Sequence, residues 1–216
     1  QGRGDMPTLR EKLARGRFVV TAEILPPLSA SASALVERVE PLRGLVDAVN
    51  VTDAAGARPA MSSFAAAAIL VREGLEPVLQ ITCRDRNRIA LAGDLLGAAA
   101  QGVENLLILH GDEPKVGDMP DAKPVYDLDS RAVMTLARDM RDRGELPSGR
   151  RIEPAPHFLV GCADSPVDPA PDWKPRGLEA KVAAGARSAQ PHFCFDPGVA
   201  RRYVERLETE GTLSRL

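Results

Sequence analysis

The feature that most restricts what this chain can fold into is an alternation, repeated six times, of a short β-branched run and a stretch at helical spacing. The strand expectations fall at 18–25, 46–53, 77–83, 105–110, 157–162 and 188–195. After the first, Leu35, Val36, Val39 and Leu42 recur at helical spacing behind a cap at Ser29 or Ser31. The other helices are expected from Ser62 or Ser63 to Arg72, at 86–100, from Asp129 or Ser130, at 178–184 and at 198–210. Gly74, Gly102, Gly144, Gly185 and Gly211 close them. Strands apolar on both faces, each followed by a helix, predict a parallel sheet. Two loops are long and polar or Pro-rich: 111–126, and the one holding Pro166, Pro169, Pro171 and Pro175.

Two α/β architectures accommodate that rhythm, a doubly wound open sheet and a (β/α)8 TIM-type barrel. The first strand lacks a G-x-G-x-x-G turn and no phosphate-binding G-x-x-x-x-G-K-[ST] occurs, so the barrel is favoured. A complete barrel takes about 250 residues and eight units. The expectation is therefore a barrel truncated after six units, with 1–14 as tail and lead-in and 15–216 as one domain. Absent sequence is preferred over a second chain covering the open edge.

Composition removes several classes of function. The net charge of −2 offers no basic stripe for nucleic acid, and the cluster Arg84, Arg86, Arg88 is broken by Asp85. No apolar run of about 18 residues could span a membrane. The polar start of the chain has no apolar signal core, and its Arg3-Gly4-Asp5 reads as a chance triplet in a tail. Cys83, Cys162 and Cys194 are odd in number and form no C-x-x-C, which suits a reducing cytoplasm. With His110 and His192 they come from several strands without short ligand spacing, so no metal is expected. Trp173, in a Pro-rich loop, reads as a loop anchor.

In a parallel barrel, function sits at the strand C-termini. Here those ends carry Glu23, Asn50-Val51-Thr52-Asp53, Gln80-Ile81-Thr82-Cys83, His110-Gly111-Asp112, Cys162-Ala163-Asp164 and Gln190-Pro191-His192. Burial of Glu23 between apolar neighbours would raise its pKa toward neutrality and fit it for acid catalysis. Pairing with a nearby Arg or Lys, which would only brace the barrel mouth, explains its position equally well.

Three segments carry a resemblance: Thr21-Ala22-Glu23-Ile24-Leu25-Pro26-Pro27, Val51-Thr52-Asp53-Ala54-Ala55-Gly56-Ala57-Arg58-Pro59 and Leu79-Gln80-Ile81-Thr82-Cys83-Arg84-Asp85-Arg86-Asn87. They resemble, in order, the first three strand-end motifs of the methylenetetrahydrofolate reductase family. Gly111-Asp112, the 123–128 loop, the 181–186 stretch and Phe195-Asp196 follow in the family's order. The resemblance implies a barrel holding FAD, with NADH or NADPH as co-substrate. The implied reaction reduces 5,10-methylenetetrahydrofolate to 5-methyltetrahydrofolate, in one-carbon metabolism and methionine biosynthesis. By the same resemblance Glu23 protonates the folate, and Asp112 lies near both flavin and substrate. Thr52, Gln80, His110, Gly111, Asp112, Tyr126 and Lys181 fall on flavin-contacting positions, and Glu23, Asp112, Gln190 and His192 on substrate-contacting ones. A cytoplasmic homo-oligomer is also implied. The sequence departs from the family's usual residues at His110, Ala180 and His192. A flavin-independent or non-catalytic folate-binding relative, working with a partner subunit, is the alternative.

Overall fold

The computed structural model describes residues 7–216, so the Arg3-Gly4-Asp5 triplet lies outside the described residues. Six strands form one sheet: β1 (Thr21–Ile24), β2 (Ala48–Val51), β3 (Pro77–Thr82), β4 (Asn105–Leu109), β5 (Leu159–Asp164) and β6 (Ser188–Pro191). Each pairs in parallel with the next in sequence, giving the order β1-β2-β3-β4-β5-β6. A helix follows every strand: α2 (Ala32–Val39), α3 (Ser63–Arg72), α4 (Arg88–Ala100), α5 (Ser130–Arg143), α6 (Arg176–Ala184) and α7 (Pro197–Thr209). Sequential parallel order with intervening helices is the arrangement of a TIM-type barrel, here through six strands.

Side chains alternate across the strands, and the two faces have different chemistry. Val49, Val51, Leu79, Ile81, Leu106, Ile108, Val160 and Cys162 face the helices and are buried with residues such as Leu35, Leu70, Leu91, Leu95, Met134 and Leu178. The opposite face is apolar at its lower end, where Ala48, Val78, Leu107 and Leu159 cluster with Leu9. Further along β1, β2 and β3 that face turns polar, with Glu23, Asn50, Thr52 and Gln80. This gradient sets the site at one end of the sheet.

Leu9 belongs to α1 (Leu9–Ala14), an element not anticipated in the lead-in. Its signal was present: Thr8 and Glu11 form a reciprocal capping box at its start. The other caps fix boundaries more tightly than periodicity does. Asn87 caps the Ile89 and Ala90 amides, so α4 begins at Arg88 and not at 86. Asp129 caps Ala132, and Asp196 caps Gly198 and Val199.

The outer strands are shorter than expected. β1 pairs only through Thr21–Ile24, and Phe18, expected within it, is 91% exposed. β6 ends at Pro191, which has no N–H to donate, so Phe193 and Phe195 leave the sheet. β5 is displaced the other way and carries Asp164 as its last residue. No helix among the described residues is long and apolar enough to cross a membrane. Trp173 is partly buried against the main cluster, with its ring 5.8 Å from that of Tyr203.

Candidate functional site

Two adjoining cavities open at the C-terminal ends of the strands. The larger, about 540 Å³, is lined by Gln80, Thr82, His110, Gly111, Asp112 and Lys181 among others. The smaller, about 360 Å³, is lined by Glu23, Asn50, Thr52, Gln80, Gln190 and His192 among others. Gln80 and His192 belong to both, so the two spaces meet along a shared wall. Nine of the ten residues singled out from the sequence therefore line this mouth. The tenth, Tyr126, stacks its ring on His110 at 4.4 Å, nearly parallel.

Glu23 departs from its expected environment. Among the described residues its side chain is exposed, and β1 pairs with β2 alone, so the expected burial between apolar neighbours is not seen there. Among the described residues no Arg or Lys pairs with it. Its hydrogen bond comes from the Gln80 amide, Nε2 to Oε2 at 2.8 Å, and Gln80 itself is buried. The neutral amide fixes the orientation of the carboxyl group without placing a cation beside it.

Asp112 is exposed and tied to the loop after β2. Its Oδ2 accepts a 2.8 Å hydrogen bond from the Gly56 amide, and Arg84 donates to its backbone carbonyl at 3.1 Å. That loop is strained: Ala54 and Ala57 have φ of 49° and 54°. It is also clamped from the other side. A Cβ on Gly117 would lie 2.0 Å from the Ala57 carbonyl oxygen, so only glycine lets the loop after β4 pass there. At Gly111, whose φ is +96°, an added Cβ would similarly lie 3.0 Å from the Thr82 Cβ. Tyr126 adopts φ 41° and donates its hydroxyl to the Gly111 carbonyl at 3.3 Å. Burial and the nearby Glu113 charge push its phenol up, which keeps it a donor at neutral pH.

In the wall of the larger cavity begins a polar network whose pairings were not anticipated from the sequence. Asp53, 5% exposed, accepts from Arg86 at 2.7 and 3.2 Å, from the Thr82 amide and hydroxyl at 2.9 and 3.0 Å, and from Ser63 at 3.1 Å. Burial acts to raise the Asp53 carboxyl, but these donors outweigh it and hold the group below the ordinary carboxylate range. Arg84, 3% exposed, forks onto Asp85 and ties Ala54 to Asp112. Of the three arginines in that small cluster, Arg84 and Arg86 are thus internal braces, whereas Arg88 is exposed and pairs with Asp127. The alternating Arg-Asp-Arg pattern of 84–86 was the available signal.

Lys181 lines the larger cavity already paired: its Nζ donates to the Ala163 carbonyl at 2.6 Å and to Asp164 at 3.3 Å. Asp164 also accepts from the Tyr203 hydroxyl, whose own titration is pushed up chiefly by burial. No group of three or more His, Cys, Asp or Glu converges among the described residues. Cys83 and Cys162 are buried free thiols, each pushed up to about 11 by desolvation. A thiol reagent at pH 8 should therefore modify Cys194 quickly and the other two only after unfolding. Two or three fast equivalents would contradict that burial.

A parallel α/β sheet with paired cavities at its strand ends defines a small-molecule site of the barrel type. The chain matches the family described as "Methylenetetrahydrofolate reductase" over residues 8–214, and it belongs to that family. A relative from Caenorhabditis elegans, named "Probable methylenetetrahydrofolate reductase (NADPH)", is 29% identical over 180 residues, 78% of this chain. The chain spans 25% of that relative's length.

Proposed function

We propose that this chain carries the flavin and folate sites of a methylenetetrahydrofolate reductase, with NADH or NADPH as electron donor. Residues 15–216 would act as one domain, contributing six units of an eight-unit barrel, in a cytoplasmic homo-oligomer. The observation that carries the reading is the pair of cavities sharing Gln80, one with Glu23 in its wall and the other with Asp112. Their volumes, about 540 and 360 Å³, lie in the range of ligand sites.

The larger cavity fits a flavin in shape and polarity. Gly111 offers a surface without a side chain, His110 and Tyr126 a flat aromatic edge, and Gln80 and Lys181 hydrogen-bond donors. Thr52, on the adjoining wall, would complete the contacts. Bound FAD would supply the redox centre between the nicotinamide and the folate. Asp112, held at its carboxylate by the Gly56 amide and at its backbone carbonyl by Arg84, sets a carboxyl group in the wall of the larger cavity. Gln190 and His192 line the folate side. Glu23, oriented by Gln80, donates the proton that makes the folate a better hydride acceptor.

Reconstitution with FAD tests the proposal directly: the purified protein should take up flavin and show its absorption bands. A protein that stays colourless overturns the flavin assignment. Asp112→Asn removes a negative charge beside the flavin, so the midpoint potential should rise by on the order of tens of millivolts, with folate turnover reduced. An unchanged potential would place Asp112 away from the cofactor. The pairing of Lys181 with Asp164 favours one second reading, a folate-binding relative that works without flavin or with a partner subunit. Tight folate binding by a protein that takes up no FAD selects it.

A further inference from the structure

We propose that Asn50 is a ligand-binding residue whose carboxamide oxygen accepts a hydrogen bond from an amide-type N–H of the molecule in the smaller cavity. Asn50 is 1% exposed, and its Oδ1 has no hydrogen-bond partner. Buried polar atoms are almost always paired, and those that are not call for a functional account. The position supplies one. Asn50 lines the 360 Å³ cavity and also the 230 Å³ space below it. It stands directly opposite Glu23 in the β1–β2 register, so the two side chains emerge side by side on the same face. Thr52, two residues further along β2, lies on that face nearer the mouth.

Among the described residues two other buried oxygens lack partners, and they differ in setting. Asn105 already donates through Nδ2 to Glu76 and to the Pro77 carbonyl, and Thr212 lies beyond α7; neither lines the cavities at the mouth. Asn50 alone of the three is aimed into the space beside the proposed acid. A ligand N–H placed there satisfies the orphaned oxygen and sets the ring edge against the Glu23 carboxyl. An amide-type N–H of this kind occurs on the pterin ring of a folate and on the carboxamide of a nicotinamide. The inference rests on the reductase reading and extends it to a residue that reading does not use.

The test is calorimetric titration of the full chain with 5-methyltetrahydrofolate and, separately, with NADPH, comparing wild type with Asn50→Leu. Loss of the bond should weaken the ligand concerned about tenfold. Loss confined to the folate assigns the pterin, loss confined to NADPH assigns the nicotinamide, and loss of both shows that each occupies the cavity in turn. The ligand-free variant should melt higher by about 2–4 °C, because an unpaired buried oxygen has been replaced by an apolar group of similar size. Asn50→Thr, smaller and branched, serves if leucine does not fit. Unchanged affinities in the variants overturn the proposal, as does a lower melting temperature in both, which would make Asn50 a structural group. Wild-type protein that binds neither ligand overturns the reductase reading, and this inference with it.

Discussion

Glu23→Gln is expected to lower folate reduction by at least about 100-fold while leaving flavin uptake and NAD(P)H oxidation within about twofold of wild type. The two half-reactions separate because only the folate step requires a proton from the Glu23 carboxyl, whereas hydride transfer from NAD(P)H to the flavin requires none. Glutamine preserves size and the capacity to hydrogen-bond but has no proton to give. It also keeps contact with Gln80, whose amide now donates to the Glu23 carboxylate, so the scaffold around position 23 should be undisturbed. Rapid-mixing measurements of each half-reaction under anaerobic conditions make the comparison. Equal loss in both would show that Glu23 supports the site without transferring a proton.

Arg86→Leu should destabilise the fold by about 3–5 kcal/mol at neutral pH, because it strands the buried Asp53 carboxylate. Asp94, which also contacts Arg86 at 2.7 Å, is more exposed and can turn to solvent. The wild type has a matching acid dependence. The folded Asp53 carboxyl titrates below its unfolded value of about 3.9, so its contribution is complete above that pH. It is lost as the pH falls through the folded value. In Arg86→Leu this acid-side loss should largely vanish, since the charge it depends on is no longer stabilised. Urea denaturation between pH 3 and 7 reads both effects. A variant less than about 1 kcal/mol weaker, with the wild-type acid profile, would show that Arg86 is not the brace the geometry describes.

The strand–helix rhythm, the parallel sheet and most capping residues were legible in the sequence because they depend on local periodicity and on single side chains such as Asn87 and Asp129. So was the ring of polar residues at the strand ends. Two kinds of feature were not. Pairing across the sheet decides whether a side chain is covered, and among the described residues Glu23 is exposed where apolar neighbours suggested burial. The identity of partners is equally non-local: Asp53 meets Arg86 across 33 residues and Asp112 meets Gly56 across 56. The α1 helix was missed for a different reason. A single helical turn and a half gives no periodicity to read, and only the Thr8–Glu11 capping pair marks it.

That short helix has a consequence for the order in which the molecule assembles. Every strand pairs with its sequence neighbour, so each unit can add to the last by closing a short loop. The α1 segment has no such option. Its Leu9 amide reaches Glu76, 67 residues away at 3.1 Å, and Arg10 reaches the His157 carbonyl, 147 residues away. The surface that receives Leu9 comes from β2, β3, β4 and β5 together. The first helix among the described residues is thus the last to be seated, and its docking registers that four strands have already found their places.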